Sequence, residues 1–135
     1  MTERGVPDRG GRIPLHYYAA DDDVEGAKRA LEDGADPNAV DRQGWTPLHS
    51  ASEARSLRVA VLLLERGAEV DPRNDQGDTP LMRAVFWSRG DGSLIQLLRG
   101  HGADPYAENI RGRTPLWLAR TIGNFPVAHW FDDLP

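Results

Sequence analysis

The stretch GWTPLHSASEARSLRVAVLLLERGAE, residues 44 to 69, decides the fold. Thr46-Pro47 suits a helix start: the threonine hydroxyl can cap the amide three residues on, and Pro47 takes the first helical position, where no N–H is missed. A short helix, about PLHSASEA, follows. A second helix is predicted over LRVAVLLLERG, where Leu57, Val59, Ala60, Leu62, Leu63 and Leu64 form a broad apolar face. Gly67 ends it, because a residue without Cβ takes the left-handed conformation that a helix terminus often needs. Just upstream, DRQG from Asp41 has the Asp-first, Gly-fourth signature of a type I turn. One unit is therefore turn, helix, helix, loop.

The unit recurs. RIPLH at 12–16, DTPLM at 78–82 and RTPLW at 113–117 align with WTPLH at 45–49, and their prolines, 14, 47, 80 and 115, are 33, 33 and 35 residues apart. A second marker, GAD or GAE from Gly34, Gly67 and Gly102, steps by 33 and 35 as well. The turn recurs as DRGG from Asp8, NDQG from Asn74 and NIRG from Asn109. Neither short helix can bury its apolar face within one unit, so stability must come from stacking neighbours into a continuous core.

The turn, the TPLH start, the paired helices and the GAD exit together resemble the ankyrin repeat over about residues 8 to 131. The expected fold is all-α, an ankyrin-repeat solenoid of four helix-turn-helix repeats joined by β-turn or hairpin loops. Residues 1–7 form an N-terminal tail and 8–135 the repeat domain, divided at about 8–40, 41–73, 74–108 and 109–135. The resemblance implies L-shaped units whose first helices line a concave side while the turn tips project. The outer units read as caps: Arg29 stands where unit two has Leu62, and Ile13 replaces the capping threonine. At the other end Phe125, Val127, Trp130 and Phe131 are expected to cover the core, with Pro126 in the first turn of a closing helix.

Composition narrows the functional classes. A net charge of −5 opposes general affinity for phosphate backbones, so no nucleic-acid partner is expected. No cysteine is present, which removes disulfides, thiolate metal sites and cysteine nucleophiles. The N-terminus lacks the apolar stretch of a secretory signal, and the longest apolar run, VAVLLL at 59–64, is far short of a membrane span. We expect a soluble, cytoplasmic, monomeric protein without a membrane partner. Lys28 is the only lysine, so its cationic surface is arginine, suited to planar, forked contacts.

Catalytic or metal chemistry finds little support. His16 and His49 fall at a helix-start position where the resemblance implies a hydrogen bond to the neighbouring turn, and Met82 and Trp117 replace them in units three and four. Asp21-Asp22-Asp23 lacks the alternating ligands, glycine and terminal glutamate of a calcium loop and sits where carboxylates favour the start of the second helix. No residues stand at a nucleophile motif or phosphate loop. The expectation is no enzyme, no cofactor and no metal site. The competing classes are a small metal-dependent or hydrolytic enzyme using His and Asp, and a purely architectural, self-associating repeat protein.

The leading expectation is a protein–protein interaction module, acting as adaptor or as inhibitor or immunity-type protein, that binds another protein through its concave groove and turn tips. Phe86 and Trp87 align with Glu53 and Ala54, positions that resemble the freely varying contact positions of the family. The two added residues of unit three fall just after them in SRGDGS, which makes Arg89-Gly90-Asp91 part of an expanded connector. Two placements are open for the aromatics: folded back over the longer loop, or exposed as anchors. Arg12, Trp45, Asp78 and Arg113 precede the Pro-containing helix starts, a position that faces the groove in the family. Trp45 either lies over a neighbouring turn or serves as a contact. With the turn tips Arg42, Gln43, Ile110 and Arg111, and with Glu53 and Ile122 at the ends of first helices, these residues form the expected partner-binding set.

Overall fold

The computed structural model describes residues 6–122 and 127–135. Three helix pairs follow one another: α1 (Pro14–Ala20) with α2 (Val24–Glu32), α3 (Pro47–Ala54) with α4 (Leu57–Glu65), and α5 (Pro80–Trp87) with α6 (Ser93–Gly100). Then come α7 (Pro115–Thr121) and a 3-10 turn over Ala128–Phe131. No strand occurs among the described residues. Each first helix begins with proline at its first position, and the hydroxyls of Thr46, Thr79 and Thr114 accept the amides of His49, Met82 and Trp117. Ile13 has no hydroxyl, and there the His16 amide turns to the Ile13 carbonyl at 3.0 Å. The second helices end at Gly34, Gly67 and Gly102, with φ of 95°, 93° and 91°. The next amide reaches back to the last helical turn, as Ala68 does to the Leu63 carbonyl at 2.9 Å.

The first helices stack in one row, α1 on α3, α3 on α5 and α5 on α7, while α2, α4 and α6 form a second row behind them. The leucine of each TPLH-like motif (Leu15, Leu48, Leu81 and Leu116) is buried, as are Ala27, Ala60 and Ile95 of the second row. They belong to one continuous core. Each such leucine contributes about 2 kcal/mol by leaving water, and no unit encloses its own.

The turns add a polar seam. Asp8, Asp41, Asn74 and Asn109 each bond the amides two and four residues on through one side-chain oxygen, at 2.8–3.0 Å. Neighbouring turns then join by backbone bonds: Arg42 N–H to the Gly10 carbonyl, Asp75 N–H to Gln43 and Ile110 N–H to Gln76, at 2.8, 2.9 and 2.9 Å. The fourth-position glycines carry positive φ, and a Cβ on Gly77 (φ 75°) would lie 3.0 Å from Asn109 Cα and Ile110 N. Gly112 (φ 72°) has nothing within 4 Å, since no further turn stacks on it among the described residues. Gly112→Ala is expected to cost about 1 kcal/mol, the left-handed penalty alone, and Gly77→Ala about 1 kcal/mol more. Equal losses in urea unfolding would show that the turn-to-turn approach contributes nothing.

The same junctions are crossed by imidazoles. His49 is fully buried: Nδ1 accepts the Thr46 amide at 3.1 Å, so the proton sits on Nε2, which donates to the Asp78 carbonyl at 2.8 Å. His16 repeats this between Ile13 and Trp45, at 3.2 and 2.9 Å. Burial pushes the His49 pKa down from 6.5 to about 4. The native ring therefore stays neutral while the unfolded one takes a proton, so this contribution is present above the unfolded value and lost as pH falls towards the folded one. The loss across that window is about 3 kcal/mol. In His49→Met, which borrows the residue unit three uses, stability between pH 6.5 and 4 should fall less steeply than in wild type. Parallel curves would remove the imidazole as the source.

The fourth unit departs from expectation. A full closing helix is replaced among the described residues by the four-residue 3-10 turn, with Val127 and Phe131 buried against α7 and the core. Phe125 and Pro126 lie outside the described residues. Arg99 of α6 ties the segment down: its guanidinium donates to the Trp130 carbonyl at 2.9 Å, pairs with Asp133 at 2.8 Å and lies over the Phe131 ring. A short segment of chain thus covers the last core layer without the apolar stripe of a full helix.

Candidate partner-binding face

The first helices and the inner sides of the turns form one face, and its organiser is Arg83, a residue the sequence reading did not single out. It projects from α5 at a position held by Ser50 in unit two and Tyr17 in unit one. Its guanidinium donates to Glu53 of α3 at 2.6 Å and to Asp78 at 3.3 Å. The same group lies 5.3 Å from the Trp45 ring centre and 5.6 Å from that of Phe86. The signal was present: Arg83, Phe86 and Trp87 stand at i, i+3 and i+4 on one helix, a spacing that puts them on one side.

Trp45 is half-buried, tilted against His49 with ring centres 5.6 Å apart. Phe86 and Trp87 are 53% and 37% exposed and meet edge to face at 5.2 Å. Neither ring is buried beneath the longer connector. That connector instead carries Trp130, whose ring occupies the space where a Cβ on Gly92 would stand. Asp91 accepts the amide and hydroxyl of Ser93 at 2.9 and 2.7 Å, which bends the RGD segment into the start of α6. The Ser93 contacts hold the Asp91 carboxyl below its usual pKa.

Arg12 is exposed, with Nε 3.4 Å from the buried carboxylate of Asp41. Tyr17, also unforeseen, donates its hydroxyl to Asp8; this bond, followed by the Arg12 amide, lowers the Asp8 pKa. Arg42, Ile110 and Arg111 sit on exposed turn tips, Ile110 being 67% accessible. Arg113 stacks over Trp117 at 4.3 Å, on the last unit and away from the Trp45 cluster. Two residues sit differently from the sequence expectation. Asp78 is buried, and its carboxylate is held by Arg83 and by the Asn109 amide at 3.0 Å. Ile122 packs against the core, because the chain leaves helical geometry there with ψ 120°.

The acidic run also resolves into local roles. Asp23 caps α2 through the Gly26 amide at 2.9 Å, and Asp22 reaches into the next unit to accept the Val59 amide at 3.1 Å. No helix among the described residues is long and apolar enough to cross a membrane.

Comparison with known families agrees with this architecture. A family model described as ankyrin repeats, in three copies, matches residues 15–109. The chain belongs to the ankyrin-repeat family. Ankyrin repeats are generally protein–protein interaction modules, and the family is typically non-enzymatic. Among curated proteins no significant match emerges.

Arg83 bridges two carboxylates on separate units, so its replacement tests whether the face is held in place. Arg83→Leu keeps an apolar stem but leaves Asp78 without its cation, and should lower the unfolding free energy by about 1–3 kcal/mol. Arg83→Lys should restore less than half, since an ammonium lacks the fork that reaches both carboxylates. Two variants as stable as wild type in urea unfolding would mean the bridge is incidental.

Proposed function

We propose that this protein binds a partner protein through the first-helix face and turn tips, serving as an adaptor or an occluding inhibitor. The observation that carries the reading is the exposed Phe86–Trp87 pair, continued by Trp45 and fixed from below by Arg83. Aromatic and arginine side chains dominate interface hot spots, and rings already held in position lose little freedom on contact. Arg12, Arg42, Ile110, Arg111 and Arg113 extend the contact as a polar rim with one apolar tip, the rim position adding less energy than the centre. Asp78 and Ile122 act here from beneath, as supports of the face. Ankyrin-type family membership supports a macromolecular ligand over a small one.

The test is quantitative capture. The partner retained by wild type should be lost, or weakened at least tenfold, in Trp87→Ala and in the Trp45→Ala, Phe86→Ala double variant, with circular dichroism and melting unchanged for Trp87→Ala. Undiminished capture of the same polypeptide by folded variants would place the binding surface elsewhere.

A further inference from the structure

The stacked register compares each pocket with its neighbour one unit along. Between α3 and α5 the space beside the helices is filled by Arg83, in contact with Trp45, Phe86 and Glu53. One unit earlier the matching residue is Ser50, 33 positions before. Its side chain is too short to fill the equivalent space, and an open cleft of about 330 Å³ lies there. Arg12, Tyr17, Ala20, Trp45, Ser50 and Glu53 line it.

We infer that this cleft is the seat for an arginine side chain of the partner protein, occupying in unit two the place Arg83 occupies in unit three. The inference deepens the partner-binding reading and rests on it. Three features favour a guanidinium. The walls are aromatic, Tyr17 on one unit and Trp45 on the next, and a planar cation stacks on such rings. Glu53 is 38% exposed in its side chain, and Arg83 engages one of its oxygens, Oε1. The charged lining is acidic on balance: Asp41 and Glu53 are two carboxylates against the one cation Arg12, which is paired with Asp41. A partner carboxylate would meet that surplus of negative charge, whereas a partner cation relieves it. The cleft volume sits at the lower end of the roughly 300–1,000 Å³ range of ligand pockets, a size suited to one long side chain.

The probe is N-acetyl-arginine amide, followed through the Trp45 indole N–H by heteronuclear NMR, with the citrulline and glutamate analogues as controls. Arginine should give a saturable displacement, citrulline one at least about fivefold weaker, and glutamate none. Glu53→Gln should weaken arginine binding by about the same factor, and Ser50→Arg, which fills the cleft from within, should abolish it. Equal responses to arginine and citrulline, a stronger response to glutamate, or an unchanged response in Glu53→Gln would each overturn the inference. Failure of the two readings is distinguishable. Capture of the partner undiminished by Ser50→Arg but lost in Trp87→Ala would sink the arginine seat and leave the binding face standing. Arginine binding that survives while both aromatic variants capture normally would sink the face itself as the partner's docking site.

Discussion

Every junction in this chain must satisfy polar backbone at a boundary that is otherwise apolar, and the buried imidazole is the simplest device that does so. A buried amide left unpaired, as that of Thr46 would be without His49, costs on the order of 1–3 kcal/mol, comparable with the benefit of burying a leucine beside it. His16 and His49 each take a donor from their own unit and give one to the next, so the ring works as a two-sided connector with a fixed proton. Unit three has Met82 in that place, and a different bridge appears. Asn109 of unit four donates to Asp78 at 3.0 Å, beside the backbone bond from Ile110 to Gln76. A side-chain link between units persists while the groups that make it change. The same carboxylate also receives Arg83, so the third junction and the first-helix face share one anion.

That sharing ties the short helices of the face to one another. Arg83 reaches back to Glu53 on the preceding unit and to Asp78 at the start of its own, and two rings flank it. Exposed ion pairs alone are worth little, but here the side chain is only 19% accessible and its geometry is over-determined by carboxylates and rings together. Stacking also converts differences along the sequence into differences across a surface. Residues at the same register become neighbours about one helix apart, so exchanging arginine for serine at one register turns a filled contact into a cleft. Recognition can therefore be altered by substitutions that leave the core leucines and turn bonds untouched.

The sequence makes the periodic part of the molecule legible because its determinants are local. Turn, proline start, threonine cap and terminal glycine lie within a few residues of what they control, and the leucine of TPLH has one place to go. The face was legible only as a set of positions. Trp45, Phe86 and Trp87 could be assigned to it by register, but pairings such as Arg83 with Glu53 join residues 30 apart and depend on which long side chain reaches which neighbour. Asp78 shows the limit clearly: its register is that of groove-facing residues, yet a short carboxylate there is drawn inward by Arg83 and Asn109. Asp22 is similar, since a cap for α4 supplied by the preceding unit leaves no mark within unit two itself.

The closing segment shows how local irregularity protects this division of labour. The expanded connector after α5 passes through positive φ at Arg89 (53°) and Gly90 (89°), then presents Gly92 without a Cβ. Trp130 rests on that bare backbone, and Arg99 holds its carbonyl and the Asp133 carboxylate that follows. A large residue at 92 would push the indole off and reopen the last core layer above Phe131. Trp130 packs on the connector, while Phe86 stays exposed beside Arg83 with Trp87 against it. The lengthened loop that interrupts the repeat thus seats the cap, while the aromatic pair just before it stays accessible.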